Sequence, residues 1–138
     1  MDAAIERQVN LPVELEDAWG LLTQPADLAG WLGAEVELDP TPGRGGRVVD
    51  HDGTVRRLVV ETVEAGRRIA WRWWSEDDAD EVSHVEITLV PTDTGTSVQV
   101  VEELVGSAPV ARAQAGEAWS HRLLHLEALL LVAAAVRG

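Results

Sequence analysis

The sequence has no cysteine, no tyrosine and no phenylalanine, and all eleven of its basic side chains are arginine, so lysine is absent too. Without cysteine there is no disulfide framework, no thiolate nucleophile and no sulfur-ligated metal. Without lysine there is no Schiff-base chemistry and no phosphate-binding P-loop. Positive charge is scarce: 11 basic against 24 acidic residues give a formal charge of −13. A chain so charged, with no basic run, would be repelled by nucleic acid and by anionic membrane surfaces, so neither is expected as a partner. The apolar stretch Leu123–Val136 is interrupted by His125 and Glu127, and it falls short of the ~20 residues a membrane span needs. The first residues, MDAAIERQVN, carry charges where a signal peptide has its apolar core, so the expected location is cytoplasmic. Arginine without lysine, together with abundant Ala, Val and Gly, points to GC-rich coding.

What is present is hydrophobic patterning over 138 residues, a length that fits one domain, 1–138, burying ~70% of the surface of its unfolded form. Residues 5–11 read as a strand ended by Pro12. From Glu14 the period becomes helical through Leu15, Ala18, Trp19 and Leu22, with Glu14, Glu16 and Asp17 suiting the positive helix start. Pro25 opens a second short helix through Trp31 and Leu32, with Gly33 as its expected stop. Short strands follow around a Pro42-Gly43 turn and an Asp52-Gly53 hairpin signal. Arg68–Ser75 alternates, with Ile69, Trp71 and Trp73 on one face and Trp74 on the other, where it could mark a homodimer patch. The acidic run Glu76–Glu81 reads as a solvated loop. Val85, Ile87 and Leu89 share a face of the next strand, and Val98 and Val100 share one with Thr96, Glu102 and Leu104 in the last. A long helix from about Pro109 to Val136 sets Trp119, Leu123, Leu126, Leu130 and Ala133 on one side. The expected class is α+β, an antiparallel sheet of about six or seven strands closed by a carboxy-terminal helix.

This order, strand, two helices, six strands, long helix, is similar to the helix-grip fold of the START-like (SRPBCC) superfamily. The stretches LPVELEDAWGLLTQPADLAGWLG (11–33), PGRGGRV (42–48), EAGRRIAWRWW (64–74) and SHVEITLVPTDTGTSVQVVEE (83–103), with Trp119, resemble its heat-shock-protein-90 ATPase activator branch, in the bacterial single-domain form. The resemblance implies a sheet curled around the long helix and an elongated cavity between them. In relatives that cavity receives hydrophobic ligands, and Trp31 would lie near its mouth.

The alternation and the resemblance together nominate Trp31, Trp71, Trp73, Ile87, Val100, Glu102, Trp119 and Leu123 as ligand-binding residues around a mostly apolar cavity. Glu102 stands out because strict alternation turns it inward, where a carboxylate is costly unless paired; a bulge at Val101-Glu102-Glu103 would instead turn it to water. Glu117, His121 and His125 recur four apart on a stripe read as lying away from Trp119, and an exposed pairing explains them better than a metal site. His51, beside the Asp52-Gly53 turn, reads as a surface residue. No Ser, His and acid wording marks a nucleophile, so no catalytic residue, metal or cofactor is expected. The leading expectation is non-enzymatic binding of a small hydrophobic molecule. One alternative is a cyclase or dehydratase acting through Glu102; another is a chaperone-related or regulatory interaction protein using its outer surface.

Overall fold

A computed structural model describes residues 3–104 and 109–137. The chain runs β1 (Ala3–Leu11), α1 (Leu15–Thr23), α2 (Pro25–Trp31), β2 (Glu35–Glu37), β3 (Gly45–Val49), β4 (Val55–Glu64), β5 (Arg68–Ser75), β6 (Asp78–Thr92), β7 (Gly95–Leu104) and α3 (Pro109–Arg137). The seven strands form one antiparallel sheet in the order β1-β7-β6-β5-β4-β3-β2, so the first strand closes onto the last and every other neighbour is joined in sequence. This is the α+β helix-grip architecture expected above. Among the described residues no helix is long and apolar enough to cross a membrane.

Strand alternation sets the inner face. Trp73 pairs with Ser83, Trp71 with Val85 and Ile69 with Ile87, while Ile87 faces Val100 and Val85 faces Glu102 across β6 and β7. Residues opposite one another in a ladder share a face, so a layer of Trp, Val and Ile turns together toward α3. The helix answers with Trp119, Leu123 and Leu126, all buried, and with half-buried Leu130; the side chain of Ala133 lies outside the described residues. In β4 a register shift between Val60 and Thr62 leaves Glu61 unpaired, so both Val60 and Val63 face inward against Trp71 and Ile69. Trp74 is half-buried on the outer face, opposite Arg57.

Three local expectations are corrected. The acidic run is not a loop: only Glu76 and Asp77 form the turn, and β6 begins at Asp78, paired with Ser75. Glu76, Asp77 and Asp78 keep their side chains exposed while the backbone of β6 pairs, so charge does not oppose the strand. Gly33 is not a left-handed helix stop, since the positive-φ glycines are Gly43, Gly53, Gly66 and Gly95. Its smallness serves close approach instead, because a Cβ there would meet the Val49 carbonyl oxygen at 2.6 Å. Trp31 does not lie at a cavity mouth. It is fully buried at the end of α2, its indole N–H donating to the Leu21 carbonyl at 2.9 Å, and so ties α2 to α1.

A polar cavity between the β3–β4 turn and the long helix

Glu102 is inside. β7 keeps an unbroken register with both β1 and β6, so no bulge turns the residue outward, and it is 3% exposed. Three donors meet its carboxyl group. The Trp119 indole N–H donates to Oε1 at 2.7 Å, while the Trp73 indole N–H and the Ser83 hydroxyl donate to Oε2 at 2.7 and 2.6 Å. A buried acceptor is tolerable when its lone pairs are used, and here strand β5, strand β6 and helix α3 each supply a donor. The Trp73 and Trp119 rings stack with centroids 5.8 Å apart, and Trp71 meets Trp73 edge-on at 5.7 Å. The aromatic layer is therefore interlocked.

Beside it sits a second buried polar group that sequence reasoning missed. Arg122 is 4% exposed; it donates from Nε to the Leu32 carbonyl at 3.1 Å and from Nη2 to Asp50 Oδ1 at 2.9 Å. The other oxygen of Asp50 accepts from Arg56 Nε, also at 2.9 Å. Both guanidinium carbons lie 5.0 Å from the Trp73 ring centre, and that of Arg122 lies 4.6 Å from the Trp119 ring centre. Burial pulls the Arg122 guanidinium below its ordinary value; the Asp50 charge and hydrogen bond pull it back up, the neighbouring Arg56 charge pushes it down again, and Glu102 raises it a little. Arginine starts so high that it stays a cation at ordinary pH. Two signals were available: Trp119, Arg122 and Leu126 share a stripe at helical spacing, and Arg56 shares its strand face with Leu58 and Val60.

Above these groups opens a cavity of about 550 Å³ between the turn that joins β3 to β4 and the face of α3. Glu102, Ser83, Asp50, Arg56 and Arg122 line its deep side, Val82, Leu104, Ala115 and Ala118 its apolar wall, and Asp52, Glu117 and the three histidines 51, 121 and 125 its rim. The His51 and His125 rings stack with centroids 4.5 Å apart, bridging the turn to the helix. Asp52 accepts the backbone N–H of Thr54 at 2.9 Å, and this bond, with the Thr54 hydroxyl, holds its carboxyl below the usual carboxylate range.

Of the eight residues nominated from sequence, Glu102 alone lines this cavity. Trp31, Trp71, Trp73, Ile87, Val100, Trp119 and Leu123 are buried core behind it. Packing side chains this large against one another fills the space between sheet and helix, so the open volume moves to the end where side chains are short or charged. The Glu117, His121 and His125 stripe faces the cavity rim and not away from it, because on α3 it neighbours Ala118 and Arg122. Among the described residues, no three His, Asp or Glu side chains are arranged to hold a metal ion.

The family model described as Activator of Hsp90 ATPase homolog 1-like protein matches residues 12–131. The chain belongs to that family. Its helix-grip sheet and long helix place it in the SRPBCC group, as its sequence motifs indicated. Solved structures agree. The crystal structure of DynU16, a protein of the dynemicin biosynthetic locus, superposes with a TM-score of 0.85 at 25% identity, covering 94% of this chain and 48% of DynU16, so this chain spans about half the length of that relative. Protein MLL2253 of Mesorhizobium loti gives 0.81 at 27% identity, covering 92% of this chain and 96% of its own. Ms6760 of Mycobacterium smegmatis gives 0.78 at 19% identity, a likeness of fold, covering 93% and 90%. No curated protein matches the chain.

Proposed function

We propose that this chain is a non-enzymatic binding protein that holds a small, largely hydrophobic organic molecule in the cavity between the sheet and α3, in the cytoplasm. The observation that carries the reading is the cavity: about 550 Å³, within the ordinary range of small-molecule sites, with an apolar wall and a few fixed polar groups. Likeness to DynU16, a protein of a biosynthetic locus, is in keeping with a handler of biosynthetic small molecules. The interlocked Trp layer acts as the rigid back of the site, and the ligand would rest on Glu102, Ser83 and the two arginines.

Binding is favoured over cyclase or dehydratase chemistry by the state of Glu102. A general acid or base must reach its substrate, and both oxygens of Glu102 already accept hydrogen bonds from Trp73, Ser83 and Trp119. Proton transfer there would require breaking a buried network. The test is native mass spectrometry of the purified chain, followed by solvent extraction and mass analysis. A reproducible bound mass of a few hundred daltons, or one acquired from a panel of aromatic and aliphatic compounds, is expected. A clean apo mass unmoved by such a panel would overturn the reading.

A further inference from the structure

The deep side of the cavity has an unbalanced set of hydrogen-bonding groups. Asp50 is shared by two guanidinium groups, one on each oxygen. Arg56 spends only Nε on it, and among the described residues its two terminal nitrogens make no hydrogen bond although its side chain is just 28% exposed. Arg122 spends Nε and Nη2, leaving Nη1 without a partner among the described residues. The other carboxylate at this depth, Glu102, has little to offer in return, because Trp73 and Ser83 fill Oε2 and Trp119 takes one of the two positions on Oε1. Donors therefore outnumber open acceptors where the cavity is deepest. Each guanidinium group also packs over an indole ring, Arg56 over Trp73 and Arg122 over Trp119, which limits its swing.

We infer that the cavity recognises an organic monoanion, a carboxylate or acidic phenol whose oxygen is received by Arg56 and Arg122 while its apolar body lies along Leu104 and Ala118; this rests on the ligand-binding reading above. The rim sets the upper limit on charge. Arg56 and Arg122 are already balanced by Asp50 and Glu102, and Asp52 and Glu117 stand exposed at the mouth of a chain at −13, so one negative charge set on the open Arg56 nitrogens is the most the site accommodates and a phosphate dianion would meet stronger repulsion.

The test uses a matched pair of probes, 1-pyrenebutyrate and its neutral methyl ester, titrated against the full chain and followed by quenching of its tryptophan emission. The wild-type chain is expected to bind the carboxylate about tenfold or more tightly than the ester, the worth of a charge-assisted hydrogen bond. Arg56→Gln should cut the carboxylate-to-ester affinity ratio severalfold, and Arg56→Lys should restore part of it. Equal binding of the two probes to the wild-type chain would overturn the inference and leave the cavity reading standing. Failure of both probes to bind would count against the cavity reading itself and take this inference with it. The wild-type comparison holds even should a variant fold poorly.

Discussion

Replacing Glu102 with Gln keeps the shape of the side chain and removes one acceptor with the charge. An amide has a single carbonyl oxygen. Set at the Oε2 position, it retains the Trp73 and Ser83 donors, and its NH2 group then opposes the Trp119 N–H at what was a 2.7 Å hydrogen bond. The opposite rotamer sets the NH2 against the Trp73 N–H. Either way a buried indole donor is orphaned, which costs ~1–3 kcal/mol, and the surviving bonds lose charge assistance worth roughly 0.5–1 kcal/mol each. The expected loss is about 3 kcal/mol, or a fall in Tm of roughly 10 °C for a chain of this length. Urea unfolding followed by far-ultraviolet circular dichroism measures it, with Glu103→Gln, on the exposed face of the same strand, as a control expected to stay within ~0.5 kcal/mol. The carbonyl at Oε2 keeps two donors against one at Oε1, so Trp119 is the donor orphaned, and because Trp119→Phe removes that donor the double variant should lose about 1 kcal/mol less than the sum of the singles. A Glu102→Gln variant as stable as wild type, or strictly additive with Trp119→Phe, would refute the three-donor account of this buried carboxylate.

Three further outcomes follow from the same geometry. Asp50→Asn leaves the buried Arg122 guanidinium without its counter-charge and should cost ~3–5 kcal/mol, whereas Arg122→Met, which removes the charge as well, should cost less; chemical denaturation of both decides it. Asp52 has a native value below its ordinary 3.8, so its contribution to stability is complete above that value and is lost as pH falls through the lower native one. The stability difference between wild type and Asp52→Asn should therefore be flat above about pH 5 and shrink below about pH 4, and a difference that grows on acidification would be contrary to it. Gly95 has φ +155°, and a Cβ there would collide with the Leu11 carbonyl oxygen, so Gly95→Ala should destabilise the β1–β7 pairing by more than ~1 kcal/mol, read as faster amide exchange in Val9 and Leu11.

Much of the fold was written in short-range pattern. The alternation of Ile69, Trp71 and Trp73, of Val85 and Ile87, and of Val98, Val100 and Glu102 set the inner face of three neighbouring strands, and the register observed between them agrees. Glu102 could be nominated because a carboxylate in an apolar alternation is a local anomaly. The cavity was not legible in the same way. Its position depends on which side chains fill the space under α3, a property of joint packing that no single element carries. Asp50 and Arg122 are 72 residues apart, and each alone reads as an ordinary surface charge. Resemblance puts Trp31 at a mouth, yet its N–H bond to Leu21, ten residues away, fixes it between two short helices. Glu61 shows the limit of strict alternation, since one unpaired residue resets the parity of β4.

Filling the open volume beside Glu102 shows whether it is a ligand site. Ala118 projects from α3 onto the cavity wall and is half-buried, so Ala118→Trp adds an indole to that space without touching the core behind it. Native mass spectrometry of the wild-type chain and this variant, incubated with the same compounds, should show a bound small molecule on the first and none on the second, with both folded by circular dichroism. Equal occupancy of the two proteins would contradict the assignment of the site.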